Sequence, residues 1–262
     1  MKKIYLVLLV CSLFAFLSFK VIETKSYETK PTICVLGGTP STADIVNEIP
    51  DEIKNKYNII SFNRPGFGGT TNSEMSRQKL FELAKKAGLK KNDFGIIGVS
   101  GGGPLAILIA SEFNLPHCGV ISGMVSREAY FLFADSTFTK PLMSSVLSGL
   151  DSFKVMVESF PNVEQILKQA GSPKDKAIRA CFDDLNFILS ASLFTKKDFD
   201  NVNITWRHGE YDKNVALESV ELFLKDFKKA ELNIIPKVSH AIDARVQLVT
   251  IIQSWEGNLD SH

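Results

Sequence analysis

Ser100 sits in the run Gly98-Val99-Ser100-Gly101-Gly102-Gly103-Pro104, between the apolar stretch Phe94–Ile97 and a helical pattern over Leu105–Ala110. A serine at a sharp strand-to-helix turn has its hydroxyl lifted above the strand ends, where it can attack a carbonyl carbon. The spacing G-x-S-x-G serves that turn for a steric reason. The serine takes a strained backbone conformation, and side chains two positions away on either side would strike the crossing strand and helix. The N–H of Gly101 then lies at the positive end of the new helix, ready to stabilise an oxyanion. These glycines do not suit a phosphate: no Lys follows them as in a P-loop, and the spacing G-x-G-x-x-G is not met.

A serine nucleophile needs a general base and a group that orients the base. Four histidines compete for the first role: His117, His208, His240 and His262. His117 precedes a strand-like run and so falls on the opposite sheet edge, and His262 is terminal. His208 lies at a strand end, four residues before a carboxylate, a spacing that more readily shapes a loop. His240 follows the run Leu232–Ile235 and precedes a helical pattern, which brings it to the sheet edge that carries Ser100. The orienting acid is expected just after the run Val202–Trp206, where Glu210 and Asp212 are both within reach.

Buried strands are expected where apolar runs lie between turn formers: Thr32–Leu36, Asn58–Phe62, Phe94–Ile97, Cys118–Ile121, Val202–Trp206 and Leu232–Ile235. Helical spacing falls between them, on Ile45, Val46, Ile49 and Ile53, over Ser73–Leu89, after the elbow, over Ala216–Ala230 and over Ile242–Trp255. Strands alternating with helices predict an α/β fold, a mostly parallel sheet flanked by helices with right-handed crossovers. The rhythm stops after Ile121, and residues 123–201 carry helical apolar patterns without an obvious strand. They read as an inserted helical cap, larger than an ordinary loop. The core is then residues 21–122 and 202–262, with room for at most one strand before Thr32.

Composition narrows the function classes. The chain has 262 residues, 45% of them hydrophobic, and a formal net charge of +1. That balance, without a long basic run, argues against a nucleic-acid surface. Cys11, Cys34, Cys118 and Cys181 form no C-x-x-C and no cluster with histidine, so neither a metal site nor a disulfide framework nor a thiol nucleophile is indicated. No cofactor is implied. Lys2 and Lys3 precede an uncharged apolar run from Ile4 to Phe19, closed by Lys20. This layout predicts that residues 1–20 are a cleaved export signal or an uncleaved membrane anchor; the run falls just short of the roughly 17–25 residues of a spanning helix.

Taken together, the motifs resemble the α/β-hydrolase superfamily, and within it the cap-bearing branch of proline iminopeptidases, haloalkane dehalogenases and related esterases. Gly37-Gly38-Thr39-Pro40 is similar to that branch's H-G-x-P loop, and Asn63-Arg64-Pro65-Gly66-Phe67-Gly68 to its D-R-P-G-x-G loop. The elbow, the H-G-x-x-D segment His208–Asp212 and the final His240 complete the ordered set. The resemblance implies Ser100 as nucleophile, Asp212 rather than Glu210 as acid, His240 as base, and an oxyanion hole from the backbone N–H groups of Thr39 and Gly101. A serine at the elbow is unlike a dehalogenase, which uses aspartate there. Gly37 stands where the family has histidine and Asn63 where it has aspartate, departures that bear on the loops around the oxyanion hole.

The expected function is a serine hydrolase that cleaves a carboxylic ester or related acyl bond of a small molecule. One alternative is an aminopeptidase similar to proline iminopeptidase; another is a non-catalytic binding protein on the same fold. The cap's apolar residues, among them Phe131, Phe133, Leu142, Met143, Phe160, Phe182, Phe187, Leu189 and Phe194, read mostly as its own core, with some left to meet an acyl or aromatic group. An aminopeptidase would need a cap carboxylate for the substrate's amino group. Glu158, Glu164, Asp183 and Asp184 are available, and each reads by default as solvated surface charge.

Overall fold

The computed structural model describes residues 30–135, 139–240 and 242–259. The expected leader, residues 1–20, lies outside them. Among the described residues no helix is long and apolar enough to cross a membrane.

The apolar runs become β1 (Thr32–Leu36), β2 (Asn58–Ile60), β3 (Gly95–Val99), β4 (His117–Ile121), β5 (Asn203–Gly209) and β6 (Lys229–Ile235). They form one six-stranded sheet in the order β2-β1-β3-β4-β5-β6, and every pairing is parallel. Strands covered on both faces need apolar residues at successive positions, which is why β1, β3 and β4 read as continuous runs. Their alternate side chains feed two clusters. Cys34, Ile96, Cys118 and Ile204 face one side, and Ile33, Val35, Ile97 and Ile121 the other, with Ile53 and Trp255 packed on them.

The chain leaves β1 on one side to make β2 and returns on the other to make β3. Strand order therefore reverses between β1 and β3, and the loops at their carboxyl ends diverge to leave a crevice. Gly37 follows β1 and Ser100 follows β3, so both border it.

The helical pattern expected over Ile45–Ile53 is split into a 3-10 helix, Ala43–Glu48, and α1 (Asp51–Lys56). Pro50 lies at the break and has no N–H to continue the first helix. The next helix, α2 (Arg77–Lys86), is shorter than the Ser73–Leu89 pattern because the Ser76 hydroxyl accepts the Lys79 N–H at 3.1 Å and starts it late. α3 (Gly102–Phe113) is apolar all round and buried at every residue but Glu112, as such a helix must be.

Between β4 and β5 run α4 (Arg127–Phe133), α5 (Thr139–Leu147), α6 (Leu150–Glu158), α7 (Val163–Lys168), α8 (Lys174–Ile188) and α9 (Lys196–Asn201), with no strand among the described residues. Tyr130, Val146, Phe153 and Ile178 of these helices join the same apolar cluster as α3. The last helices are α10 (Leu217–Leu224) and α11 (Ala244–Leu259). Residues 229–230, expected as the end of a helix, instead open β6, which pairs with β5 from Lys229↔Asn203 to Ile235↔Gly209. β5 also runs past Trp206, so His208 lies inside a strand rather than at its end.

Candidate active site

Ser100 is the first residue after β3 and holds φ at 49°, in the left-handed region that side chains beyond Cβ rarely adopt. Such a conformation costs about 1–3 kcal/mol and persists only where the surroundings enforce it. Here the Ser100 N–H donates to Ile121 O at 2.9 Å, and its carbonyl accepts Gly103 N–H at 2.9 Å and Met124 N–H at 3.1 Å. A Cβ on Gly98 would lie 2.3 Å from Gly102 O, and one on Gly102 would lie 2.6 Å from Gly37 O. β3 and α3 cross too closely for a side chain at Gly98, and the end of β1 lies too close for one at Gly102.

Ser100 Oγ lies 3.1 Å from His240 Nε2, and His240 Nδ1 lies 2.8 Å from Asp212 Oδ2. The three side chains come from the loops after β3, β5 and β6, one edge of the parallel sheet. Asp212 is buried, and its Oδ1 accepts the N–H groups of Asn214 and Val215, both at 2.9 Å. The following turn thus aims the carboxylate. Glu210, the rival acid, instead accepts the Lys237 N–H at 2.8 Å and ties the two loops together.

The other histidines stand elsewhere. His208 is fully buried; its Nε2–H donates to Val215 O at 2.9 Å, and burial pushes its pKa down against the pull of Asp212. His117 stacks on Trp255 with ring centroids 5.0 Å apart, and His262 lies outside the described residues. Thiol chemistry has no foothold among the described residues: burial pushes the Cys34 and Cys181 thiols up to about 12 and Cys118 higher still.

The loop after β1 closes the site from the other side. A Cβ on Gly38 would lie 3.0 Å from Ser100 Cβ, and one on Gly101 would lie 3.3 Å from Thr39 N. The loop through Gly38 and Thr39 thus packs directly against Ser100 and Gly101. Arg64 runs beneath this loop, with Nη1 donating to Gly37 O at 3.0 Å and Nη2 to Gly38 O at 2.6 Å. Asn63 Oδ1 accepts the Ala43 N–H at 2.6 Å.

Asp184 is not a surface charge. Read from sequence as solvated, it is 2% exposed. Its Oδ1 lies 3.4 Å from Arg64 Nε, and its Oδ2 accepts the Thr39 hydroxyl. Burial pushes its carboxyl above the usual range, while the Arg64 charge and the Thr39 bond oppose that rise. Of the other carboxylates, Asp183 pairs with Arg179 at 2.9 Å and Glu158 with Lys174 at 3.4 Å, while Glu164 is exposed.

Among the described residues no group of three or more His, Cys, Asp or Glu side chains could hold a metal ion. An open pocket of about 800 Å³ lies between Phe81, Leu89 and Phe113, away from Ser100.

No protein-family model matches the sequence, and no curated protein does. Solved structures share its architecture. A thermophilic esterase from Thermogutta terrifontis is 14% identical with a TM-score of 0.61, over 88% of this chain and 90% of that one. The enzyme MGS-M2, an alpha/beta hydrolase from a deep-sea metagenome library, is 13% identical with a TM-score of 0.62, over 89% and 91%. The 2-hydroxy-6-oxo-6-phenylhexa-2,4-dienoate hydrolase of a Rhodococcus strain is 17% identical with a TM-score of 0.58, over 86% and 90%. The chain has the α/β-hydrolase fold. At these identities the likeness is one of fold, and function has to be argued from the site.

Proposed function

We propose that this protein is a serine hydrolase that cleaves a carboxylic ester, or a related acyl bond, of a small molecule. The observation that carries the reading is the continuous path from Ser100 Oγ through His240 to Asp212, at 3.1 and 2.8 Å. His240 Nε2 takes the Ser100 proton as Oγ bonds to the carbonyl carbon, and the carbonyl π electrons move onto oxygen. The N–H groups of Thr39 and Gly101 stabilise that oxyanion, and Asp212 stabilises the imidazolium. Collapse expels the leaving alkoxide, which takes the proton from His240 and leaves an acyl-Ser100. Water then gives a proton to His240 and attacks the acyl carbon. Ser100 leaves, recovers that proton, and a carboxylic acid departs. Every step uses this chain's own groups and water.

The helices between β4 and β5 act as a cap in this reading and select the acyl group. An ester is favoured over an N-terminal amine because Asp183, Asp184 and Glu158 are already paired to cations and Glu164 is exposed on the surface. Export or membrane attachment through residues 1–20 belongs to the proposal on the strength of Lys2, Lys3 and the apolar run after them.

The test is labelling by a fluorophosphonate probe, followed by a panel of p-nitrophenyl esters beside proline p-nitroanilide. Label that disappears in Ser100→Ala, with ester turnover, is the expected result. A folded wild-type protein that takes no label favours a non-catalytic binding protein, and preference for the anilide favours an aminopeptidase.

A further inference from the structure

Gly37, Gly38 and Thr39 are all tied to one buried pair. Arg64, 3% exposed, spends two N–H groups on the carbonyls of Gly37 and Gly38 and turns Nε toward Asp184. Asp184 in turn takes the Thr39 hydroxyl. The consequence lies in the peptide between Gly38 and Thr39. In a trans planar peptide the C=O and N–H point in opposite directions. With Gly38 O held on Arg64, the Thr39 N–H must point away from Arg64, and Thr39 N borders Gly101, where a Cβ would lie 3.3 Å from it. No side chain at position 37 shares this task, since a Cβ there would meet Ser41 Oγ at 2.1 Å.

We propose that Asp184 is a positioning residue: carried on α8, it holds Arg64 and Thr39 so that the Gly38–Thr39 peptide presents its N–H to the developing oxyanion. The helical segment that carries Asp184 thereby controls whether the oxyanion site is assembled, not only which substrates enter. This inference rests on the serine hydrolase reading above. Asp184 touches no reacting atom, and its effect must run through the loop. Removing it takes the buried counter-charge from Arg64 and the acceptor from the Thr39 hydroxyl together, so that the peptide's direction rests only on the Arg64 bonds to Gly37 O and Gly38 O.

The experiment compares Asp184→Ala, Asp184→Asn and Thr39→Val with the wild type, Ser100→Ala and Asp183→Asn. It measures kcat and KM for p-nitrophenyl acetate, inhibition by phenylboronic acid, and thermal melts that establish folding. The boronate adduct on serine carries a tetrahedral anion, so its affinity reads the oxyanion donors as a merely structural role would not. Asp184→Ala is expected to lose about 10²–10³-fold in kcat, the scale of one lost oxyanion donor, with boronate affinity falling in parallel and KM nearly unchanged. Asp184→Asn and Thr39→Val are expected to lose about tenfold, since each removes part of the link, and Asp183→Asn should match the wild type. Folded Asp184 variants with wild-type kcat and boronate affinity overturn the proposal. Where neither Asp184 variant folds, an unchanged Thr39→Val overturns it. A wild type without Ser100-dependent turnover removes the hydrolase reading and this inference with it, whereas an active wild type with unaffected variants removes this inference alone.

Discussion

His208 Nε2 lies 3.4 Å from Asp212 Oδ2 while donating its proton to Val215 O at 2.9 Å. On the other side of the ring, Nδ1 faces the Trp206 Nε1–H at 3.4 Å. One nitrogen donates and the other accepts, which is the pattern of a neutral imidazole. His208 is therefore part of the scaffold that shapes the turn from β5 to Asp212, and His240 alone of the two histidines faces Ser100.

The neutral His208 makes folding sensitive to acid in a definite direction. Burial pushes its folded-state pKa below the ordinary 6.5, so as pH falls through that value the unfolded chain takes up a proton before the native one does. Stability must then drop with falling pH, by up to about 1.4 kcal/mol per unit from this group. His208→Gln should lower the melting temperature near neutral pH, since losing the bond to Val215 O costs about 1–3 kcal/mol. It should also flatten the fall between about pH 7.5 and 5.5. Melts recorded across that range test both, and equal slopes in the two proteins would defeat the assignment of His208 as a buried neutral group.

The two carboxylates after β5 should separate sharply in kinetics. Asp212→Asn keeps the size of the side chain but cannot stabilise the imidazolium, and kcat for an ester substrate should fall by about 10⁴. Glu210→Gln removes a charge in an exposed loop while leaving an oxygen that can accept the Lys237 N–H, and should leave kcat within about threefold. Steady-state rates on both variants check this; the reverse ranking would place the orienting acid at Glu210.

Much of this arrangement is legible in the sequence, and the parts that are not have physical causes. β1, β3 and β4 announce themselves because strands buried on both faces cannot carry polar residues. The elbow is legible because two backbones approach so closely that Gly98 and Gly102 are obligatory. β6 hides its start, since Lys229, Ala230 and Glu231 lie exposed at the sheet edge and show no apolar pattern. Asp184 hides more completely. Periodicity gives the helix, but Asp183 and Asp184 are adjacent and only the fold decides which one turns inward to Arg64.

Substitution at the elbow should show how tightly strand and helix are held together. Gly98→Ala would put a methyl 2.3 Å from Gly102 O and 2.8 Å from Ala106 Cβ, so β3 and α3 must part. The expected cost is about 1–3 kcal/mol or more in stability, with loss of Ser100 labelling. Gly257→Ala serves as the contrast: that position faces open space within α11, and alanine there should be neutral or stabilise by about 0.5 kcal/mol. Denaturant titrations of both variants decide it, and a Gly98→Ala protein as stable as the wild type would mean the crossing is looser than described.

The pair Arg77 and Asp198 ties α2 to α9 and should set much of the acid limit of the fold. Asp198 is fully buried, and its carboxylate meets Arg77 at 3.0 and 3.1 Å. It also accepts the Thr195 N–H at 2.7 Å and the Thr195 hydroxyl at 2.9 Å. Burial alone would raise its pKa, but the bonds from Arg77 and Thr195 outweigh burial and hold it below the usual carboxylate range. A depressed carboxylate supplies stability that is complete above the unfolded value of 3.8 and is lost as pH falls through the folded one. Asp198→Ala should therefore cost about 3–5 kcal/mol at neutral pH, because Arg77 loses its partner. Its stability should also change less than that of the wild type below pH ~4. Urea titrations at neutral and acid pH measure both effects, and a variant as stable as the wild type at neutral pH would show that Arg77 and Thr195 find other partners.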